Sequence, residues 1–169
     1  SKLNPLIFEV VNKTEIEGYI KQSKAKTEEG KTARVYLYQR ERARLAYKQY
    51  AGGAQTIERR ISMESYIDRV FDSFAEEERH QMRAWASIPL YFVHEDGSDN
   101  FCGFIMDRIP DKCYEGDDGL NLDRLFCDDK IPDEGLVVFV KYLQAIIRFM
   151  HNHNVLLGDV LSGRNLCIR

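Results

Sequence analysis

The chain has 169 residues, of which 44% are hydrophobic and 30% charged, with a formal net charge of −3. These values are ordinary for a soluble globular protein and leave enough chain for one domain, or one and a half, with a real core. The longest apolar run, Leu136 to Val140, is far shorter than a bilayer span, so no membrane partner is expected.

The first residues, Ser1-Lys2-Leu3-Asn4-Pro5, lack a signal peptide's apolar stretch and read as an artificial boundary rather than a native start. Cys102, Cys113, Cys127 and Cys167 are scattered with no C-x-x-C pair, which fits reduced thiols in a cytoplasmic protein better than a disulfide framework or a zinc site. Charge is unevenly spread. Residues 21 to 60 carry eleven bases against four acids, whereas residues 107 to 134 carry ten acids against four bases. A basic half suits a polyanion such as nucleotide phosphate, and the plain alternative is a set of solvated strand faces and turns. Nucleic acid is not the expected partner.

In chain order, residues 6 to 11 form a short strand candidate, and Glu15 to Ile20 read as another. Lys21 to Thr32 is polar and reads as an exposed loop. Ala33 to Tyr38 and Arg44 to Tyr50 are the clearest strands, with Val35, Leu37, Leu45 and Tyr47 recurring at period two. The link Gln39 to Ala43 is short enough for an antiparallel hairpin, and Gly52-Gly53 closes the unit. From Ser62, a candidate cap, the period changes. Ile67, Val70, Phe71, Phe74, Glu78, Met82 and Trp85 fall three or four apart and predict one helix with a single apolar face.

Pro89 ends that helix. Leu90 to Val93 and Phe101 to Met106 read as two strands around the turn His94 to Ser98. Asp107 to Glu134 is acidic and loop-rich, with a short helix predicted at Leu120 to Phe126. Gly135 to His151 is a long helix, apolar on most sides, of the kind found inside a lobe. It ends in His151. Asp159 stands eight residues later after a short apolar strand (Val155, Leu156, Leu157), and Asn165 precedes another apolar stretch.

From Ala33 to the end this order resembles the protein kinase-like superfamily. Leu45-Ala46-Tyr47-Lys48 is similar to the family's Val-Ala-Ile-Lys strand, which implies Lys48 at the α and β phosphates of ATP. The resemblance also implies a helix glutamate that pairs with Lys48. Glu78 is the first candidate because it shares a predicted face with Phe74, Met82 and Trp85, and Glu77 is the second. Phe104 to Pro110 looks like the last strand of the N-lobe running into the hinge. Met106 would then back the adenine pocket, and the backbone of Asp107 to Ile109 would bond the base. The His151 to Asp159 spacing is that of the catalytic loop, which implies Asp159 as the group that accepts or orients the substrate hydroxyl and Asn165 as a ligand of Mg²⁺.

The chain departs from the pattern at several points. His-Arg-Asp is replaced by Leu157-Gly158-Asp159, nearer the His-Gly-Asp of aminoglycoside and lipopolysaccharide-sugar kinases. Losing the Arg removes the cation that reads a phosphorylated activation loop. Asn165 follows Asp159 by six residues instead of five, no lysine stands two after Asp159, and there is neither a glycine-rich phosphate loop nor an Asp-Phe-Gly.

The expected fold class is therefore α+β: a kinase-like N-lobe over 1–106 (an antiparallel sheet plus one helix), a hinge and acidic linker over 107–134, and a partial helical C-lobe over 135–169. The expected function is ATP- and Mg²⁺-dependent phosphotransfer to a protein Ser/Thr or small-molecule hydroxyl. Because the chain stops at Arg169, before a second metal-binding carboxylate, the piece alone is expected to be inactive. A pseudokinase or interaction module keeping the fold is the alternative, and a polyanion-binding domain a third. A partial C-lobe is also expected to self-associate or to need a partner over its apolar helix.

Overall fold

A computed structural model describes residues 10–23, 25–85, 89–108 and 132–154. The chain divides into two compact units, Ser1–Arg108 and Ile109–Arg169. The fold is α+β. The described elements of the first unit are β1 (Val10–Asn12), α1 (Lys13–Gln22), β2 (Lys26–Glu29), β3 (Ala33–Arg40), β4 (Ala43–Tyr50), a 3₁₀ turn at Gly52–Ala54, α2 (Ile57–Ser73), α3 (Glu76–Trp85), β5 (Tyr91–His94) and β6 (Phe101–Asp107). The second unit holds α4 (Asp133–Asn152).

The six strands form one sheet in the order β1-β5-β6-β4-β3-β2, with β1 parallel to β5 and every other pair antiparallel. The sheet is therefore mixed, not purely antiparallel as expected, because the N-terminal segment adds a strand along β5. The β3–β4 hairpin matches the predicted strand pair. Arg40 pairs with Ala43 across a two-residue turn in which Glu41 takes φ 54°, and Gln39 Nε2 donates to the Glu41 carbonyl at 2.8 Å.

Glu15 to Ile20 is helix, not strand. Ile16, Tyr19 and Ile20 fall at i, i+3 and i+4, and all three join the cluster on one sheet face, formed by Tyr38, Leu45, Tyr47, Leu90, Val93, Cys102 and Ile105. The α1 N-terminus is capped from far away: Asn12 supplies no side-chain bond, while Asp96 in the β5–β6 turn accepts from the Thr14 backbone N–H at 3.0 Å. Hydrogen bonding from the Thr14 side chain, and then from its backbone N–H, holds the Asp96 carboxyl below its ordinary pKa. Within the predicted loop Lys21 to Thr32, residues 26–29 pair with β3 as a charged edge strand.

The single helix predicted from Ser62 is two helices. α2 begins earlier, where Thr56 Oγ1 accepts from the Arg59 N–H at 3.2 Å, so Thr56 is the cap and Ser62 lies inside the helix. It ends at Phe74, whose backbone is extended (φ −103°, ψ 137°) and whose side chain is buried. α3 then starts with Glu76, Glu77 and Glu78 in its first turn, where carboxylates favour the helix dipole. Three- and four-residue spacing runs through both helices, so the break was invisible to periodicity.

The second sheet face carries Tyr50, Phe92, Phe101 and Phe104, packed with Ile67 and Met63 of α2. His94 is 2% exposed at the end of β5 with its ring edge-on to Phe101. Burial pulls its pKa below the ordinary histidine value, and Arg60 adds to the effect.

In the second unit α4 covers the predicted Gly135–His151 helix and extends it at both ends. It stops where Asn154 adopts φ 59° and donates its N–H to the His151 carbonyl at 3.0 Å, a left-handed end suited to asparagine. Met150 is buried, whereas Val137, Val138 and Tyr142 are exposed. No helix among the described residues is long and apolar enough to cross a membrane.

Candidate functional site

Strand register builds the site. Directly paired residues, and residues two apart on one strand, lie on the same sheet face. Val35 pairs with Lys48 and Leu37 with Ala46 on one side of β4, while Lys48 pairs with Phe104 and Ala46 with Met106 on the other. Val35, Leu37, Ala46, Lys48, Phe104 and Met106 therefore share the face that also bears Tyr50. Ala46 is 2% exposed, and Lys48, two residues along the same face, is half-buried.

Lys48 Nζ lies 5.5 Å from the Tyr50 ring centroid and 5.9 Å from that of Phe104. Aromatic faces stabilise an ammonium that has lost part of its water. Burial lowers the Lys48 pKa, and the positive charge of Arg59 lowers it further. Arg59 is itself stacked over Tyr50, its Cζ 4.3 Å from the centroid. Its neighbour Arg60 is committed elsewhere, with Nε 2.9 Å from Glu64 Oε1.

The predicted partner of Lys48 has another task. Glu78 Oε1 accepts from the Ala75 backbone N–H at 3.0 Å, the third helical residue reaching back to the cap of α3. Among the described residues no carboxylate is ion-paired with Lys48. The structure thus brings Lys48 together with Met106 on one face but joins Lys48 to neither Glu77 nor Glu78. Asp107 ends β6 opposite Leu45, at the margin of the same region. Ile109, Asp159 and Asn165, together with the predicted helix at 120–126, lie outside the described residues. No group of three or more His, Cys, Asp or Glu among the described residues is placed to hold a metal ion.

Two supporting residues escaped the sequence reading. Gly103 of β6 crosses β4 so closely that a Cβ there would sit 2.0 Å from the Lys48 carbonyl oxygen. A glycine in a strand is the one sequence signal for such an approach. Arg59 was visible only as part of a basic stretch. On the opposite sheet face a groove of about 320 Å³ is lined by Glu17, Ile20, Lys21, Tyr36, Tyr47 and Gln49, away from Lys48.

No protein-family model matches the chain, and no curated protein is significantly similar to it.

Proposed function

We propose that this chain carries the nucleotide-binding part of a kinase-fold phosphotransferase that moves the terminal phosphoryl group of ATP to a hydroxyl of a protein or a small molecule. The observation that carries the reading is the half-buried Lys48 on a face it shares with Val35, Leu37, Ala46, Phe104 and Met106. An aromatic base needs a flat apolar bed, and its phosphates need a cation held at a set distance from that bed. Met106 faces Ala46, and Lys48 stands two residues, about 7 Å, further along the strand with a long stem to extend its reach.

In this reading Lys48 binds and orients the phosphates, Met106 backs the base, and the backbone of Asp107 and Ile109 bonds its edge. Asp159 would orient the acceptor hydroxyl, and Asn165 would hold the Mg²⁺ that neutralises charge on the transferring group. Protein Ser/Thr and small-molecule acceptors both remain compatible with this face.

A second reading is a pseudokinase or interaction module that keeps the fold without turnover. The specific observation that favours it is Glu78, which caps its own helix while Lys48 contacts aromatic rings. Calorimetric titration with ATP and Mg²⁺, on the chain and on Lys48→Ala, separates the two. Binding that depends on Mg²⁺ and is lost in Lys48→Ala supports the nucleotide reading. A folded protein that takes up no ATP removes it and leaves the interaction module.

A further inference from the structure

A nucleotide site on this face lacks two of the devices that usually manage phosphate charge. The β2–β3 turn is only Gly30-Lys31-Thr32, closed by the Gly30 N–H donating to the Ala33 carbonyl at 2.8 Å, so no run of glycine amides stands ready to wrap an anion. Lys48 also has no carboxylate to hold it in place among the described residues. Its charged neighbour is a second cation instead.

Arg59 and Lys48 approach the same tyrosine ring, Cζ at 4.3 Å and Nζ at 5.5 Å from the Tyr50 centroid, and both side chains are about half-buried. Packing on Tyr50 stabilises each cation separately. It does nothing for their mutual repulsion, which partial burial strengthens because less water screens it. The arrangement is specific to one residue of the Arg59–Arg60 pair: Arg60 points to Glu64, about a hundred degrees round the helix, and is neutralised there. The Arg59 backbone is fixed as well, since its N–H is bound by the Thr56 cap. Among the described residues this leaves two cations on one tyrosine ring, with no carboxylate ion-paired to Lys48, and an anion would offset both charges.

We propose that Arg59 is a second phosphate-binding residue, acting with Lys48 on the polyphosphate chain of a nucleoside triphosphate. This rests on reading the Lys48 face as a nucleotide site. The planar guanidinium presents two parallel N–H donors to phosphate oxygens, and the lysine supplies a point charge to the neighbouring group. Arg59 thereby does for the phosphates what a glycine-rich loop would otherwise do, from the helix side instead of the strand turn.

The test is calorimetry with inorganic tripolyphosphate, ATP and adenosine as separate probes, on the wild-type chain, Lys48→Ala, Arg59→Gln and Arg59→Lys, with circular dichroism on each variant. The expected result is that Arg59→Gln weakens tripolyphosphate and ATP by at least about tenfold, leaves adenosine unchanged, and is partly rescued in Arg59→Lys. A residue that served only to pack on Tyr50 would lower the melting temperature without moving the tripolyphosphate constant in the folded variant. If ATP binding needs Lys48 but is indifferent to Arg59→Gln, the inference falls and the nucleotide reading stands. If tripolyphosphate needs both cations but ATP binds no more tightly than tripolyphosphate, the two-cation site stands and the nucleotide reading falls. If the folded chain binds neither probe, both fall. Should Arg59→Gln not fold, the Arg59 Nε–H resonance of the wild-type protein gives the answer during a tripolyphosphate titration: it moves with the binding midpoint, or the proposal is overturned.

Discussion

If Lys48 binds nucleotide as proposed, it is the residue on which function and stability pull apart. Its ammonium sits half-buried beside Arg59, and both burial and that charge hold its pKa below the ordinary lysine value. The folded state therefore binds this proton less tightly than the unfolded chain does. At neutral pH the lysine is charged in both states, and the full cost of burying it weighs on the fold. That cost fades as pH rises through the folded pKa towards about 10.4, the ordinary value. Lys48→Met, which keeps the stem and removes the charge, is expected to melt at a higher temperature than wild type at pH 7 while losing ATP binding. Paired melting curves between pH 7 and 10.5 should show the difference shrinking as pH rises. An equal or lower melting temperature for Lys48→Met at pH 7 would mean that the aromatic contacts more than offset the burial.

At the scale of elements, the site depends on how closely β6 approaches β4. Gly103 is opposite Gln49 in that ladder and next to the Lys48–Phe104 pair. A methyl group at Gly103 would meet the Lys48 carbonyl oxygen at 2.0 Å, backbone that has no rotamer through which to yield. Gly103→Ala is expected to destabilise the first unit by about 1–3 kcal/mol through overpacking and, under the proposed nucleotide reading, to loosen ATP by displacing the strand that carries Lys48. Denaturant unfolding followed by near-ultraviolet circular dichroism measures the first effect. An unchanged midpoint would show that the two strands separate at little cost. The helices were less legible than the strands. Ile16, Tyr19 and Ile20 fit both a short half-buried strand and a helical turn, and their placement under Tyr38 and Tyr47 decided in favour of the helix. The α2–α3 break at Phe74 was equally hidden, since burying that ring satisfies either one bent helix or two.

For the molecule as a whole, the apolar surface of α4 is the most consequential feature outside the sheet. Val137, Val138 and Tyr142 are 53%, 58% and 65% exposed, on a helix whose sequence is apolar on most sides. Fully burying an exposed aliphatic side chain gains about 1.5–3 kcal/mol, and these part-covered ones gain a share of that, so covering several together is enough to drive weak association. Sedimentation velocity is expected to show a weight-average coefficient that climbs with protein concentration. Val138→Glu combined with Tyr142→Glu should hold it constant. A wild-type chain that sediments as a monomer at every concentration would remove association from the account of this protein.

By itself the sequence determined the local order: the β3–β4 hairpin, the β5 and β6 strands, the long α4 helix and the lysine on a central strand. Those follow from period-two and helical spacing, from turn chemistry and from apolar runs, all of which act over a few residues. Only the tertiary structure decided which residues meet. β1 joins β5 in parallel, Asp96 caps a helix through Thr14, 82 residues before it, and Glu78 is engaged by its own helix end. Arg59, eleven residues after Lys48 and on a helix instead of a strand, shares its aromatic neighbour Tyr50. Such contacts depend on the register of strands and the rotation of helices across the whole unit. Several local arrangements satisfy the same spacing, and only packing the unit together separates their energies.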